Sequence, residues 1–147
     1  MFRFEISGIP VAQKQTRFSA RGGIPRAYDP SKKDLERIRW QIRPFAPKDP
    51  ILGPIALTLI FFMPIPKATS KAKRDQMRRR IILPVVKPDA DNLAYLVTNA
   101  LKELIYKDDN QICEQHIYKV YDELPRTEII VKTIQTAEKY GLTLPCE

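Results

Sequence analysis

Four aspartates stand at two points of a basic chain: Asp89 and Asp91 in Pro88-Asp89-Ala90-Asp91-Asn92, and Asp108 and Asp109 one helix later. Carboxylates brought together repel, so a fold that gathers them usually places a divalent cation between them. Such an ion lowers the pKa of a bound water and neutralises phosphoryl oxygens. The chain carries 25 Lys and Arg against 17 Asp and Glu, a net charge of +8. Metal carboxylates on a cationic protein point to the phosphodiester backbone of nucleic acid as substrate.

The positions can be traced to the backbone. Pro88 disfavours helical geometry at Lys87 and holds the approach extended. Alternate residues of an extended segment point to one side, so Asp89 and Asp91 can converge on one cation. Asp109 is harder to bring in. A helix of about 14 residues carries the chain about 20 Å away. Another copy of the chain or a bent path must supply the approach. Each cluster also has an ordinary structural reading. An aspartate at a helix start is a cap, and Asp-Asp-Asn is turn chemistry. The positions that follow Asp89 do not fit a calcium loop, which needs Gly at the sixth place and Glu at the twelfth; here these are Ala94 and Ala100. No glycine occurs between Gly53 and Gly141, which excludes a phosphate-cradling loop there.

These residues need elements to hold them. The 147 residues suit one domain with a single core, and 44% are hydrophobic. Phe2, Phe4 and Ile6 alternate with polar residues, as in a half-buried strand. A loop from Pro10 to Pro30 follows. Ser31 can cap a helix carrying Leu35, Ile38, Ile42 and Phe45. Ile55 to Met63 reads as a buried strand. Leu93, Leu96, Val97, Ala100, Leu101 and Leu104 mark the clearest helix. Ile112 to Tyr121 and Thr127 to Ile134 read as two more strands. The expectation is an α+β fold, a mixed β-sheet of about four strands flanked by two main helices.

Between Ile55–Met63 and the second helix lies a basic stretch, 67–87, with Lys67, Lys71, Lys73, Arg74, Arg78, Arg79, Arg80 and Lys87 against Asp75. Its first part can form a short helix capped by Ser70, but it has almost no apolar face, so it is expected to stay mobile until it meets DNA, which it would grip through phosphates. Lys14, Arg17 and Lys119 are further candidates for DNA contact. His116, Trp40 and Cys113 are read as strand, packing and core residues. No apolar run approaches the roughly 20 residues of a membrane span. Without a leader, and with Cys113 and Cys146 outside any metal-binding spacing, a reducing cytoplasm is expected.

The run Lys87-Pro88-Asp89-Ala90-Asp91-Asn92-Leu93, the helix with Asn99-Ala100-Leu101, and Asp108-Asp109-Asn110-Gln111-Ile112 together resemble the RusA family of Holliday junction resolvases. These are small bacterial and phage endonucleases. The likeness extends to Met63-Pro64, to Lys67 through Arg80, and to Gly8-Ile9-Pro10 with Lys14 and Arg17. It implies a RusA-like fold, a homodimer, dependence on Mg²⁺ with Mn²⁺ as a substitute, and paired cuts in four-way junction DNA during recombination and repair. The family's catalytic, metal-binding aspartates fall on Asp89, Asp91 and Asp109, with Asp108 beside them. One position departs. The family commonly has a lysine four residues after the second aspartate, and here Tyr95 stands there. Lys14, Lys102 and Lys119 are the candidates to supply the missing charge. Without a substitute, a junction-binding protein that no longer cuts is the competing expectation. A basic RNA-associated domain would explain the charge but not the paired acidic clusters.

Overall fold

The computed structural model describes residues 1–135. Cys146 and the tail past Gln135 lie outside them. Four strands form one mixed sheet: β1 (Phe2–Ser7), β4 (Ile55–Pro64), β5 (Ile112–Asp122) and β6 (Arg126–Thr133). Their order is β1-β6-β4-β5. β6 pairs antiparallel with both β1 and β4, whereas β4 and β5 run parallel. The parallel pair requires a crossover, and the chain between β4 and β5 supplies it with two helices, α2 (Lys71–Arg78) and α3 (Ala90–Leu101). The third helix, α1 (Lys32–Ile42), precedes β4. The α+β class, the mixed four-strand sheet and the two longer helices match the sequence expectation, as does the short helix α2 capped by Ser70.

One core lies between the sheet and α1 with α3. Leu57, Leu59 and Phe61 of β4 and Ile129 and Val131 of β6 meet Ile38 and Ile42 of α1 and Leu93, Leu96, Val97 and Leu101 of α3. The spacing of the α3 residues covers one broad face, so the helix is held by burial rather than propensity. β4 is central and largely covered on both sides, hence its apolar run, interrupted only by Thr58.

The loop expected from Pro10 to Pro30 contains a short hairpin, β2 (Arg17–Ser19) with β3 (Arg26–Tyr28). Its strands have only three residues each and few apolar positions, too little alternation to read as strands. Ser31 does not cap α1. Its backbone is helical and its side chain caps nothing, while its buried hydroxyl accepts from the Lys14 N–H at 2.7 Å. Trp40 is 67% exposed, with Arg43 over its ring, and is not a packing residue. Cys113 is exposed rather than buried.

The end of α3 has no glycine to absorb its last carbonyls. Arg39 of α1 reaches across and donates to the carbonyls of Ala100 and Lys102, at 3.1 and 3.0 Å. A cation there also suits the negative end of the helix. Arg39→Ala should lower stability by about 1.5–3 kcal/mol, because charged hydrogen bonds are lost and carbonyls are left unpaired. Urea denaturation followed by circular dichroism measures this; an unchanged midpoint would mean that solvent replaces Arg39.

Candidate functional site

An open cleft of about 440 Å³ lies between α3 and β5. Asp91, Ala94, Tyr95 and Thr98 line it from α3, a spacing that puts them on one helix face. Asp109, Ile112, Cys113, Glu114, Gln115 and Ile117 line it from the opposite side, so the sequence reading missed one carboxylate of the cleft, Glu114, whose Oε2 is buried without a protein donor. Asp91 and Asp109, distant in sequence, therefore share one cleft within one chain. The bent path that this demands is visible. Lys102 leaves helical geometry, and Glu103 takes a positive φ of 61°. The buried Tyr106 then turns back, its hydroxyl donating to the Thr98 carbonyl at 2.9 Å. Burial, with the charges of Asp109 and Asp108, raises the Tyr106 phenol, which keeps it a donor. Ile51 clamps the return: its N–H donates to Ile105 O, and its carbonyl accepts from Lys107 and from the Gln111 amide.

The four aspartates are in four different situations. Asp89 sits at the N-cap of α3 with extended geometry, yet its carboxylate makes no cap hydrogen bond. The cap reading thus does not account for it. Asp89 is exposed and does not line the cleft. Asp91 is also exposed, and its Oδ1 accepts from the Asn92 N–H at 2.9 Å. Asp109 has one carboxylate oxygen, Oδ1, buried without a protein donor. Asp108 is the structural one. It caps the short 3-10 turn at Asp109–Gln111 in a capping box, and its Oδ1 meets Lys102 Nζ at 2.8 Å.

The chemistry of this donor set fits a hard divalent cation. Carboxylate oxygens are the ligands Mg²⁺ and Mn²⁺ prefer, and a buried, unpaired carboxylate oxygen is costly unless a cation neutralises it. Among the described residues, no three His, Cys, Asp or Glu side chains are grouped to hold an ion by themselves. Magnesium commonly takes one or two carboxylates and completes its shell with water and phosphate oxygens, so two aspartates suffice chemically.

Of the lysines considered in place of Tyr95, two have other work. Lys102 is paired with Asp108. Lys119, on β5, donates to the carbonyls of Val86 and Pro88 at 2.7 and 2.9 Å, which pins the approach to Asp89. Lys14 remains. It lines a second groove that borders α3 on the other side of Tyr95. The cleft that holds Asp91 and Asp109 is lined by no Lys or Arg.

The basic stretch is folded rather than bare. Ser70 caps α2, accepting from the Lys73 N–H, and Met77 packs against the core. Arg74 pairs with Glu123 at 3.0 Å, and Arg80 with Asp122 at 3.2 Å and the Tyr121 carbonyl at 2.6 Å. Arg80 and Arg126 also cover the Phe62 ring. These two arginines serve as tethers to the end of β5. Lys67, Lys71, Lys73, Arg78, Arg79 and Lys87 are exposed, though Arg78 and Arg79 both reach Asp75 at 3.7 Å. Arg17 is exposed on the β2–β3 hairpin. His116 is exposed and pairs with Glu114. The register of β5 against β4 is irregular between Ile55 and Ala56, next to Glu114, and Glu114 lines the acidic cleft.

Comparison with known proteins places the chain in a family. The family model described as endodeoxyribonuclease RusA matches residues 7–132. A Bacillus subtilis (strain 168) protein, "Uncharacterized protein YqaN", is 33% identical over 136 residues, which cover 90% of this chain and 96% of the relative. The chain belongs to the RusA endodeoxyribonuclease family. That membership supports an endonuclease role on Holliday junction DNA. No helix among the described residues is long and apolar enough to cross a membrane.

The Asp108–Lys102 pair carries a pH signature. The hydrogen bond from Lys102, then that from the Asp109 N–H, holds the Asp108 carboxyl below its usual range; the same contact raises Lys102. A lowered carboxylate contributes stability above its ordinary pKa and loses it as pH falls through the lowered value. A raised lysine loses its share only as pH climbs through its raised value. The pair is thus ionised throughout the neutral range. In Lys102→Met, Asp108 should titrate nearer the ordinary carboxylate value, read from carboxyl ¹³C shifts. A titration that does not move would show that the pair does not form in solution.

Proposed function

We propose that the protein is a metal-dependent, structure-selective endonuclease that resolves four-way DNA junctions by paired phosphodiester cuts in recombination and repair. The observation that carries the reading is the shared cleft of Asp91 and Asp109, with Asp109 Oδ1 buried and unpaired. Asp91 and Asp109 would hold the ion, Mg²⁺ or Mn²⁺, with Asp89 beside the cleft mouth at the start of α3. When bound, it would supply an acidified water and charge neutralisation at the scissile phosphate. The remaining roles fall to the chain itself. Lys119 holds the Pro88–Asp89 segment in place by its two carbonyl contacts. Asp108 fixes the turn that presents Asp109. Exposed lysines and arginines of α2, with Arg17 and Lys87, would take DNA phosphates, giving affinity without sequence choice. Two symmetric strands to cut call for a homodimer with a two-fold axis. The protein would work where DNA is, in the cytoplasm of a bacterium.

A second reading draws on one observation: no Lys or Arg lines the acidic cleft. A positive group there would stabilise charge on the phosphate or leaving oxygen. Without one, the protein would hold junctions and cut them slowly or not at all. Incubation of a synthetic four-way junction, beside linear duplex, with Mg²⁺, Mn²⁺ or EDTA separates the two. Paired nicks confined to the junction and abolished by EDTA are expected. Binding without cutting in either metal would leave the second reading, and equal affinity for linear duplex would end both.

Asp91→Asn and Asp109→Asn should each reduce cleavage by more than the 10–100-fold typical of lost outer-shell partners, because a direct ligand is removed. Junction affinity in a gel shift should change little. A variant that binds poorly yet cuts normally at high protein concentration would show that these residues grip DNA instead. The same variants should not melt at lower temperature in EDTA, since each relieves carboxylate repulsion.

A further inference from the structure

A groove of about 650 Å³ lies between the β2–β3 hairpin and the outward face of α1, and it shares no lining residue with the acidic cleft. Tyr28 lines it from the hairpin, and Lys32, Lys33, Glu36, Arg37 and Trp40 line it from the helix. Positions 33, 36, 37 and 40 form one strip of α1. The core-facing Ile38 and Ile42 lie on its other side. Tryptophan is ordinarily well buried, yet Trp40, the single tryptophan of the chain, is exposed, and Tyr28 is 47% exposed. Large apolar side chains left in water together mark a surface that meets a partner.

The charge around the rings says what kind of partner. From Arg17 to Arg43 the chain carries eight Lys and Arg against three Asp and Glu, which accounts for +5 of its net +8. Arg17 stands opposite Tyr28 in the hairpin and Arg26 two residues before it, so the three share one face of the ribbon. Arg43 lies over the Trp40 ring at 5.2 Å from its centre. Among the described residues, Arg17, Arg26, Lys32, Lys33 and Arg43 form no ion pair. The acids of the groove do not offset them. Asp29 accepts from the Ser31 N–H at 2.8 Å and from the Gln13 amide, which leaves Glu36 among several cations. Aromatic faces set among free cations are the arrangement that holds single-stranded nucleic acid, with phosphates on the cations and bases on the rings. A duplex offers its bases already stacked on one another. Contact between two copies through this face would bring like charges together.

We propose that this groove is a second nucleic-acid site, one that holds unpaired nucleotides of a DNA strand. Bases stack on Tyr28 and Trp40, and Arg17, Arg26, Lys32 and Lys33 take the phosphates. The site reads no sequence, because every base has a face to stack. It needs neither a metal nor cleavage, so it goes beyond the nuclease reading and does not rest on it. Its consequence is a choice among substrates: DNA with a single-stranded gap or tail is held more tightly than the same DNA fully paired.

Trp40 is its own probe. A base stacked on an indole quenches its emission, whereas a phosphate contact alone leaves it. In EDTA, a dT oligomer of about twelve nucleotides should quench the emission, within the usual range of single-strand site sizes. An abasic oligomer of the same length, with the phosphates but not the bases, should leave it unchanged. Trp40→Ala and Tyr28→Ala should each weaken binding of the dT oligomer by about 5–150-fold, the loss of one stacking contact, in an anisotropy titration of the labelled strand. Trp40→Phe, which keeps a ring, should retain most of the affinity. Affinity for linear duplex should stay within about twofold in every variant, because phosphate contacts elsewhere supply it. Trp40→Ala decides the matter if Tyr28→Ala disturbs the hairpin, as circular dichroism would show. Equal quenching by the abasic oligomer, or unchanged dT affinity in Trp40→Ala, overturns the site. A smaller species of Trp40→Ala in sedimentation, with dT binding intact, overturns it in favour of a contact between copies. Quenching by dT in a chain that cuts no junction in Mg²⁺ would uphold this groove and count against the nuclease reading alone.

Discussion

The reversal of the chain after α3 is the constraint on which the site depends. A straight exit from the helix would carry Asp109 away from Asp91. The structure instead ends α3 abruptly and satisfies the exposed carbonyls from outside. Arg39 takes Ala100 and Lys102, Tyr106 takes Thr98, and Ile51 holds the strand-like return at Ile105 and Lys107. These partners come from α1, from the turn itself and from the segment before β4. No part of them touches the cleft, yet each fixes the path by which Asp109 reaches it. The turn is in this sense a partly buried hydrogen-bond network that pairs these carbonyls, the condition under which polar groups rigidify a fold rather than weaken it.

The two pairs of neighbouring aspartates show how one residue type divides its labour. Asp108 and Asp109 are adjacent, but one is satisfied by a lysine and a backbone N–H while the other keeps an oxygen buried and unpaired. Asp89 has the backbone of a helix cap and declines its usual bond. A carboxylate that gives up available local partners is the kind of departure from local rules that marks functional positions. The basic stretch shows the converse. Arg74 and Arg80 resemble DNA contacts in sequence, but their partners are Glu123, Asp122 and the Tyr121 carbonyl.

Much of this was legible in the residues. β1 and both longer helices carried clear periods, 2 for β1 and 3.6 for α1 and α3, and β4 a run of apolar residues, and burial enforces these patterns. The acidic pair and its family resemblance located the cleft. What stayed hidden depended on contacts between distant segments. The β2–β3 hairpin is too short to show alternation, and the Ser31 hydroxyl looks like a cap until Lys14 is seen to occupy it. α2 buries little beyond Met77, and its anchorage by the Arg74–Glu123 pair, with Arg80–Asp122 just past its end, is announced by no local pattern. The path of residues 102–107 was open between two geometries, because a positive φ at Glu103 leaves no signature in a non-glycine residue. Trp40 misled for a general reason: spacing along a helix says which residues share a face, not whether that face is covered.

Tyr95 has a further implication for how such a chain changes over time. It stands at the boundary of two grooves, one acidic and one lined by amides, and each takes one wall from α3. A substitution at this point alters two surfaces together, whereas Asp91 faces one and Asn99 the other. The helix thus separates most of its variation into two independent channels and couples them at a single side chain. Drift in either wall can proceed alone, but any exchange at Tyr95 must be tolerated by both at once.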